Sequence, residues 1–219
     1  MRTTVLLFLF ATFLSAQQAH YFAGAAIGVT TLSADGKTAI TSSGSSVSLY
    51  KPENGFTAHL LAGRHLTDYF SIQGSYTTNA NALTLTSLAT SSGGELVYEQ
   101  ARSSRQHLFG GDVMLYFRNR SSVFRPYLSV GGGVDHFTSR AERVTVQKGA
   151  LRIPSATVAA TKPFLRVAVG IDARIAKGWY LRYTFSESIL KNPISAQLTP
   201  PASRNLAAFQ SLFGIVKQF

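Results

Sequence analysis

Seven side chains carry most of the chemistry that the regular segments of this chain could hold: His59, Asp112, Asp135, Arg166, Asp172, Arg174 and Arg182. Each falls on the polar side of a stretch in which polar and apolar residues alternate. Their signs are mixed. Counting from the turns puts Asp135 and Arg166 toward one end of adjacent segments, and Asp172 and Arg182 toward the other. Enclosed charges must be paired or they neutralise, so the pattern predicts ion pairs that fix a polar interior; a narrow ion path is the competing reading. Acyl hydrolysis would need a serine, a histidine base and a carboxylate within hydrogen-bond reach. His136 follows Asp135 directly, which sends the two to opposite faces of a strand, and His59 and His107 have no partner nearby in sequence. No catalytic residue is assigned on this reading. No metal-ligand spacing is present and no cofactor is expected. The absence of cysteine rules out disulfides, thiolate metal sites and a lipidated N-terminal cysteine. Gly131-Gly132-Gly133 lacks the Lys-Ser or Lys-Thr of a phosphate loop and lies within a strand, which predicts curvature or close packing.

The alternation itself defines the elements that hold those positions. A chain of 219 residues, 45% hydrophobic and 14% charged with mean hydropathy +0.10, is too apolar for disorder and suits one all-β domain. Period-two stretches fall at Tyr21–Leu32, Gly55–Leu66, Tyr69–Ala80, Gln106–Arg118, Phe124–Thr138, Lys162–Ile175, Gly178–Ile189 and Ala208–Phe219. The links between them alternate long and short. Thr67–Asp68, Asn119–Val123 and Ala176–Lys177 are short; Leu32–Asn54, Asn81–Arg105, Ser139–Thr161 and Leu190–Ala207 are long, rich in Ser, Thr, Gly and Ala. Ser42–Ser46 and Ser91–Gly94 read as low-complexity tips. Eight strands with short turns at one end and long loops at the other predict an all-β, eight-stranded antiparallel up-and-down transmembrane β-barrel.

Face assignment supports the same architecture, because successive side chains of a strand point to opposite sides. The last stretch sets Phe209, Phe213, Ile215 and Phe219 against Gln210, Leu212, Gly214, Val216 and Gln218. The sixth sets Leu165, Val167, Val169, Ile171, Ala173 and Ile175 against Arg166, Ala168, Gly170, Asp172 and Arg174. Gly24, Gly28, Gly63, Gly110, Gly131, Gly133, Gly170 and Gly214 all share the polar parity, where a narrow eight-stranded lumen has little room. Bulk therefore faces outward. Aromatic residues collect at the strand ends: Tyr21, Phe22, Tyr69, Phe70, Tyr116, Phe117, Phe124, Tyr127, Trp179, Tyr180 and Phe219 near the short turns, and Phe56, Tyr76, Phe137, Phe164, Phe185 and Phe209 toward the other rim. Two aromatic girdles flanking an apolar band are expected where rings meet both membrane interfaces.

A formal net charge of +11 and a pI near 10.2 would suit a polyanion, but the cations are scattered over turns, loops and alternate strand positions with no nucleic-acid motif. Nucleic acid is excluded as a partner, and anionic lipid headgroups take its place. Arg2, the apolar run Val5–Leu14 and the small residues Ser15 and Ala16 make a secretory signal peptide over residues 1–16, cut after Ala16 or, second, Ala19. The barrel domain then covers residues 20–219. No later segment approaches the roughly 20 apolar residues of a membrane helix.

The closing residues Phe213-Gly214-Ile215-Val216-Lys217-Gln218-Phe219 carry a last-position aromatic preceded by outward apolar residues at every second place. On these features the chain resembles the OmpA-like family of small outer-membrane barrels over everything after the signal peptide. The resemblance implies export to the outer membrane of a Gram-negative-type cell through periplasmic chaperones, and insertion by the barrel-assembly machinery that reads Phe213, Ile215 and Phe219. Lys217 departs from the pattern, where an apolar residue is usual, although a lysine near the interface can snorkel. The peptidoglycan-binding domain of longer family members is not expected. The role expected is structural or surface-interactive, with outer-membrane lipid and lipopolysaccharide as partners and any surface ligand held by the loops. A narrow pore and a lipid A-modifying enzyme are the alternatives.

Overall fold

The structure, a computed structural model, describes residues 20–41, 44–89, 95–146, 155–194, 198 and 205–219. The predicted signal peptide, the Ser91–Gly94 tip and residues 42–43 lie outside these residues, whereas the rest of the Ser42–Ser46 tip opens a strand. Ten strands are described: β1 His20–Leu32, β2 Asp35–Thr41, β3 Gly44–Pro52, β4 Gly55–His65, β5 Phe70–Ala89, β6 Glu95–Tyr116, β7 Phe124–Val146, β8 Thr157–Ala176, β9 Trp179–Lys191 and β10 Asn205–Gln218. Eight of them form a ring, β1-β4-β5-β6-β7-β8-β9-β10, in which every neighbour is antiparallel and β10 returns to β1. Closure satisfies every strand edge of the ring, which hydrocarbon demands because an unpaired backbone group there costs several kcal/mol.

The register fixes the tilt. Followed one way from Ile27, the row of paired residues passes Ala58, Thr78, His107 and His136 to Thr161; followed the other way, it passes Phe213 and Tyr183 to Ile171, ten residues along the same strand β8. That stagger belongs to strands inclined by about 40° to the barrel axis. Turns at the short end are held locally. Thr67 Oγ1 accepts from the Tyr69 and Phe70 amides at 3.1 and 2.9 Å, Asn119 Oδ1 accepts from the Ser121 and Ser122 hydroxyls at 2.8 and 2.9 Å, and Gly178 supplies a φ of 72° that a side chain would resist.

The expected long links are largely strand. β5 runs on to Ala89 and β6 begins at Glu95, so most of Asn81–Arg105 is paired sheet. β7 continues to Val146, and the Leu32–Asn54 link contains the hairpin β2–β3, whose second strand pairs with Leu83–Ala89 of β5. The reason lies in a change of solvent. On β5 the inward residues pass from Asn79 and Asn81 to Leu83 and Leu85, while the outward ones pass from Ile72 to Thr84 and Thr86. Above the membrane the same sheet is polar outside and apolar inside. There Leu32, Tyr50, Leu83, Leu85, Tyr98, Phe137, Phe164, Leu190 and Leu206 pack into one buried core.

This core corrects part of the aromatic reading. Phe137 and Phe164 are inside it, not on the outer rim. At the opposite end, Phe22, Tyr116, Tyr127 and Tyr180 point inward and pack with Leu61, Met114 and Val216, leaving Tyr21, Tyr69, Phe70, Phe117, Phe124, Trp179 and Phe219 as the exposed girdle.

Candidate functional site

The lumen between the two apolar clusters is where the predicted polar residues meet. Asp172 and Arg182 are register partners on β8 and β9. The Arg182 guanidinium donates through Nε to Asp172 Oδ1 at 2.6 Å and through Nη2 to Oδ2 at 2.7 Å, and its Nη1 donates to Gln73 Oε1 at 2.7 Å. Tyr116 completes the group: its hydroxyl donates to Asp172 Oδ2 at 3.0 Å and accepts from Arg182 Nη2 at 2.9 Å.

Arg166 does not meet Asp135. It donates through Nε to Asp112 Oδ1 at 3.0 Å, through Nη2 to Asp112 Oδ2, and through Nη2 to Ser75 Oγ at 2.7 Å. Sequence counting chose the adjacent strand, but the register sets Lys162 opposite Asp135 and puts Asp112, Gly131 and Arg166 in one row across β6, β7 and β8. Gly131 has no side chain to intervene, so the pair closes over it. A Cβ there would run into Gly111 O and Asp112 Oδ1. This is the close packing that the triple glycine predicted, serving an ion pair two strands apart.

Asp135 instead accepts from Gln106 Nε2 at 3.0 Å, and Gln106 Oε1 accepts from Asn79 Nδ2 at 2.9 Å. His59 bonds Thr77 Oγ1 at 2.7 Å through Nδ1. Arg174 is exposed, at the turn end of β8 where the register with β9 slips between Arg174 and Ala176, so it is no member of the lumen group. Three residues that the sequence reading left out belong there: Gln73, Ser75 and Tyr116. Their inward parity was readable, but neutral side chains gave no reason to single them out. Arg125 was missed as well; it is buried at the floor, with its guanidinium 3.9 Å from the Tyr116 ring centroid and Nη2 donating to Asp68 O at 3.0 Å. The ion pairs leave a lumen cavity of only about 20 Å³, room for about one water.

Above the membrane a further cation is enclosed. Arg102, buried beside a bulge on β6, donates to Ser139 Oγ at 2.9 Å, Gln100 Oε1 at 2.6 Å and Ser155 O at 2.8 Å. Burial pulls its pKa below the ordinary guanidinium value. Burial likewise pushes the Tyr50 hydroxyl up, and Asp35 across the hairpin adds to the shift.

At the terminus, Phe213, Ile215 and Phe219 are exposed on the lipid side. The Phe219 amide donates to Tyr21 O at 2.9 Å. Lys217 lies with its ammonium 5.0 Å from the Trp179 ring centroid, a cation–π contact that explains how a lysine fits this row.

A closed ring with an apolar exterior and a filled polar interior agrees with what sequence comparison finds: a family profile described as "Outer membrane protein beta-barrel domain" matches residues 4–205. The chain belongs to this outer-membrane barrel family. Its place is therefore the outer membrane. No curated protein matches it. Among solved structures, Neisserial surface protein A is similar over 93% of this chain and 100% of its own, at 14% identity and a TM-score of 0.52. The attachment invasion locus protein Ail of Yersinia pestis, solved with the heparin analogue sucrose octasulfate, covers 91% and 99% at 9% identity and a TM-score of 0.48. OprG from Pseudomonas aeruginosa covers 92% and 95% at 13% identity and 0.46. These likenesses concern fold.

Proposed function

We propose that this outer-membrane barrel is a closed wall element with a structural and surface-interactive role, presenting a water-soluble β extension outside the cell. The observation that carries the reading is the filling of the lumen in three tiers. An aromatic floor, two bidentate ion pairs and the extracellular apolar core follow one another along the axis. The outward faces remain for contact with lipid and with other molecules, and the outer-leaflet lipid is the first partner. Phe213, Ile215 and Phe219 serve the assembly machinery during insertion.

Planar-bilayer recording of the refolded chain tests the closed lumen. The expected result is no steady conductance in the parent protein. Large, sustained open currents would overturn the reading in favour of a pore.

The role is non-enzymatic in this proposal. Each described histidine side chain bonds a hydroxyl instead of a carboxylate: His59 with Thr77, His65 with Ser71, His107 with Tyr76 and His136 with Thr161. Without a carboxylate to orient and charge the ring, a histidine base is poorly set up for acyl transfer. Mass spectra of lipid A with and without expression should be identical; a changed acyl pattern would refute this.

A further inference from the structure

We infer that the outward face of β6 and β7, just above the apolar band, is a binding site for the phosphorylated headgroup of an outer-leaflet glycolipid, with Arg105 and Arg140 as its cationic ligands. The placement comes first. On β6 the lipid-facing parity runs upward from Val113 and Phe109 to His107 and then Arg105; on β7 it runs from Val130 and Val134 to His136, Thr138 and Arg140. At a tilt of about 40° each residue rises roughly 2.5 Å, which sets Arg105 roughly 10 Å above Phe109 and Arg140 roughly 15 Å above Val134. That is the level at which acyl chains give way to headgroups. The register pairs Arg105 with Thr138 and Ser103 with Arg140, so the two arginines are diagonal neighbours on one face and within common reach of a single phosphate.

The geometry is that of a cleft. Arg105, Arg140, Ser103, Thr138 and Thr157 border a hollow of about 280 Å³ open to the outside. The Ser103 and Thr157 hydroxyls can donate to phosphate oxygens, while Thr138 Oγ1 donates to Arg105 O at 3.4 Å, and each planar guanidinium fork can grip two phosphate oxygens at once. Among the described residues neither arginine has a carboxylate ion-pair partner, and Glu142, two residues beyond Arg140, pairs with neither.

A second observation points the same way. Arg102 lies behind this wall, buried, its donors taken up by hydroxyl, amide and carbonyl oxygens of Ser139, Gln100, Ser155 and Ala156, with no carboxylate among them. A buried cation that the described protein leaves without a counter-charge projects its field through the sheet, in a medium that screens poorly. Three guanidiniums therefore raise the potential at one cleft, and an anion in that cleft relieves all three. A phosphate on a lipid satisfies this while its acyl chains lie on the apolar surface directly below, formed by Phe109, Val113, Val130 and Val134. A soluble phosphate would use the cleft alone. The inference does not depend on whether the lumen conducts.

The test uses the full chain refolded in neutral detergent and bisphosphorylated lipid A as the probe, with binding followed by microscale thermophoresis. The double substitution Arg105→Gln/Arg140→Gln should weaken binding at least tenfold, and fully dephosphorylated lipid A should bind the parent at least tenfold more weakly than the phosphorylated form. Arg118→Gln, an exposed arginine in the short turn that follows β6, should change it less than twofold. A heat-dependent shift in gel mobility checks that each variant is folded. Should the double variant fail that check, Arg105→Gln and Arg140→Gln singly are each expected to weaken binding about threefold, and parental affinity in both refutes the site. Equal affinity of parent and folded double variant refutes it too, as does an equal loss with Arg118→Gln. Displacement of the lipid by equimolar inorganic phosphate would overturn the lipid assignment.

Discussion

Substitution of Asp172 tests the central tier of the lumen most directly. Its carboxylate is fully buried and accepts three hydrogen bonds, two from Arg182 at 2.6 and 2.7 Å and one from the Tyr116 hydroxyl at 3.0 Å. Removing one partner of a buried ion pair typically costs 3–5 kcal/mol, because the other charge is left uncompensated. Asp172→Asn keeps one carbonyl acceptor and loses the charge, so a cost of about 3 kcal/mol is expected. Asp172→Ala removes both oxygens and should cost about 5 kcal/mol, since Arg182 then retains Gln73 and Tyr116 as hydrogen-bond partners and no counter-charge. The pair itself need not stabilise the fold. In Asp172→Ala/Arg182→Met both charges are gone and an apolar chain fills part of the space, so the double variant should be more stable than Asp172→Ala alone. Equilibrium unfolding in guanidinium from detergent micelles, followed by the emission of the single tryptophan Trp179 in the lipid-facing girdle, measures all three. A loss under about 1 kcal/mol for Asp172→Ala, the size of a surface pair, would refute the reasoning. So would a double variant less stable than the single one.

The remaining predictions concern packing and assembly. Gly131→Val should sharply lower the folded yield, because its side chain would meet Gly111 O and the Asp112 carboxylate; Gly74→Ala, on the outer face with its nearest contact at 3.9 Å, should fold like the parent. Heat-dependent gel mobility reads both. Leu85→Ala, in the apolar core beyond the polar zone, should cost about 3 kcal/mol and, in the orientation proposed above, expose residues 81–105 to protease added to intact cells, while the membrane ring stays folded. Deleting Phe219 should lower outer-membrane yield and leave refolding into detergent intact, because one interfacial ring adds little to a finished barrel; an unchanged yield removes its role as an assembly signal.

Strand parity was legible throughout the membrane band because lipid and lumen impose opposite demands on alternate residues. Leu165, Val167 and Val169 against Arg166 and Asp172 is a pattern that only one side-chain direction satisfies. The pattern became hard to read at residues such as Asn81 to Leu85, where the solvent outside changes from lipid to water. The alternation persists there with its sign reversed: Leu83 and Leu85 inside, Thr84 and Thr86 outside. Loss of outward apolar residues then looks like loss of strand. Individual ion pairs were only half legible. Asp172 with Arg182 followed from adjacency, whereas Arg166 with Asp112 depends on register across two strands and on the missing side chain of Gly131. No local count of residues gives that register. Arg105 and Arg140 look like scattered cations in the sequence, because only the β6–β7 register brings them to one face.

The same tiers bear on how the lumen could ever open. An ion moving along the axis must part Arg166 from Asp112 and Arg182 from Asp172, since these two pairs occupy successive levels of the polar zone. At 3–5 kcal/mol for each broken pair, and with a tenfold drop in population for every 1.4 kcal/mol, a state with one pair open is held to roughly one molecule in a hundred or fewer. With both open it falls to roughly one in ten thousand or fewer. The second apolar core imposes a further condition, because Leu85, Leu206 and Phe137 are fully buried beyond the polar zone and would have to part as well. Sparse, brief openings are therefore the most that the parent lumen allows. Neutralising one ion pair removes only one of three successive barriers, so even Asp172→Ala, for all its cost in stability, should leave the barrel electrically silent.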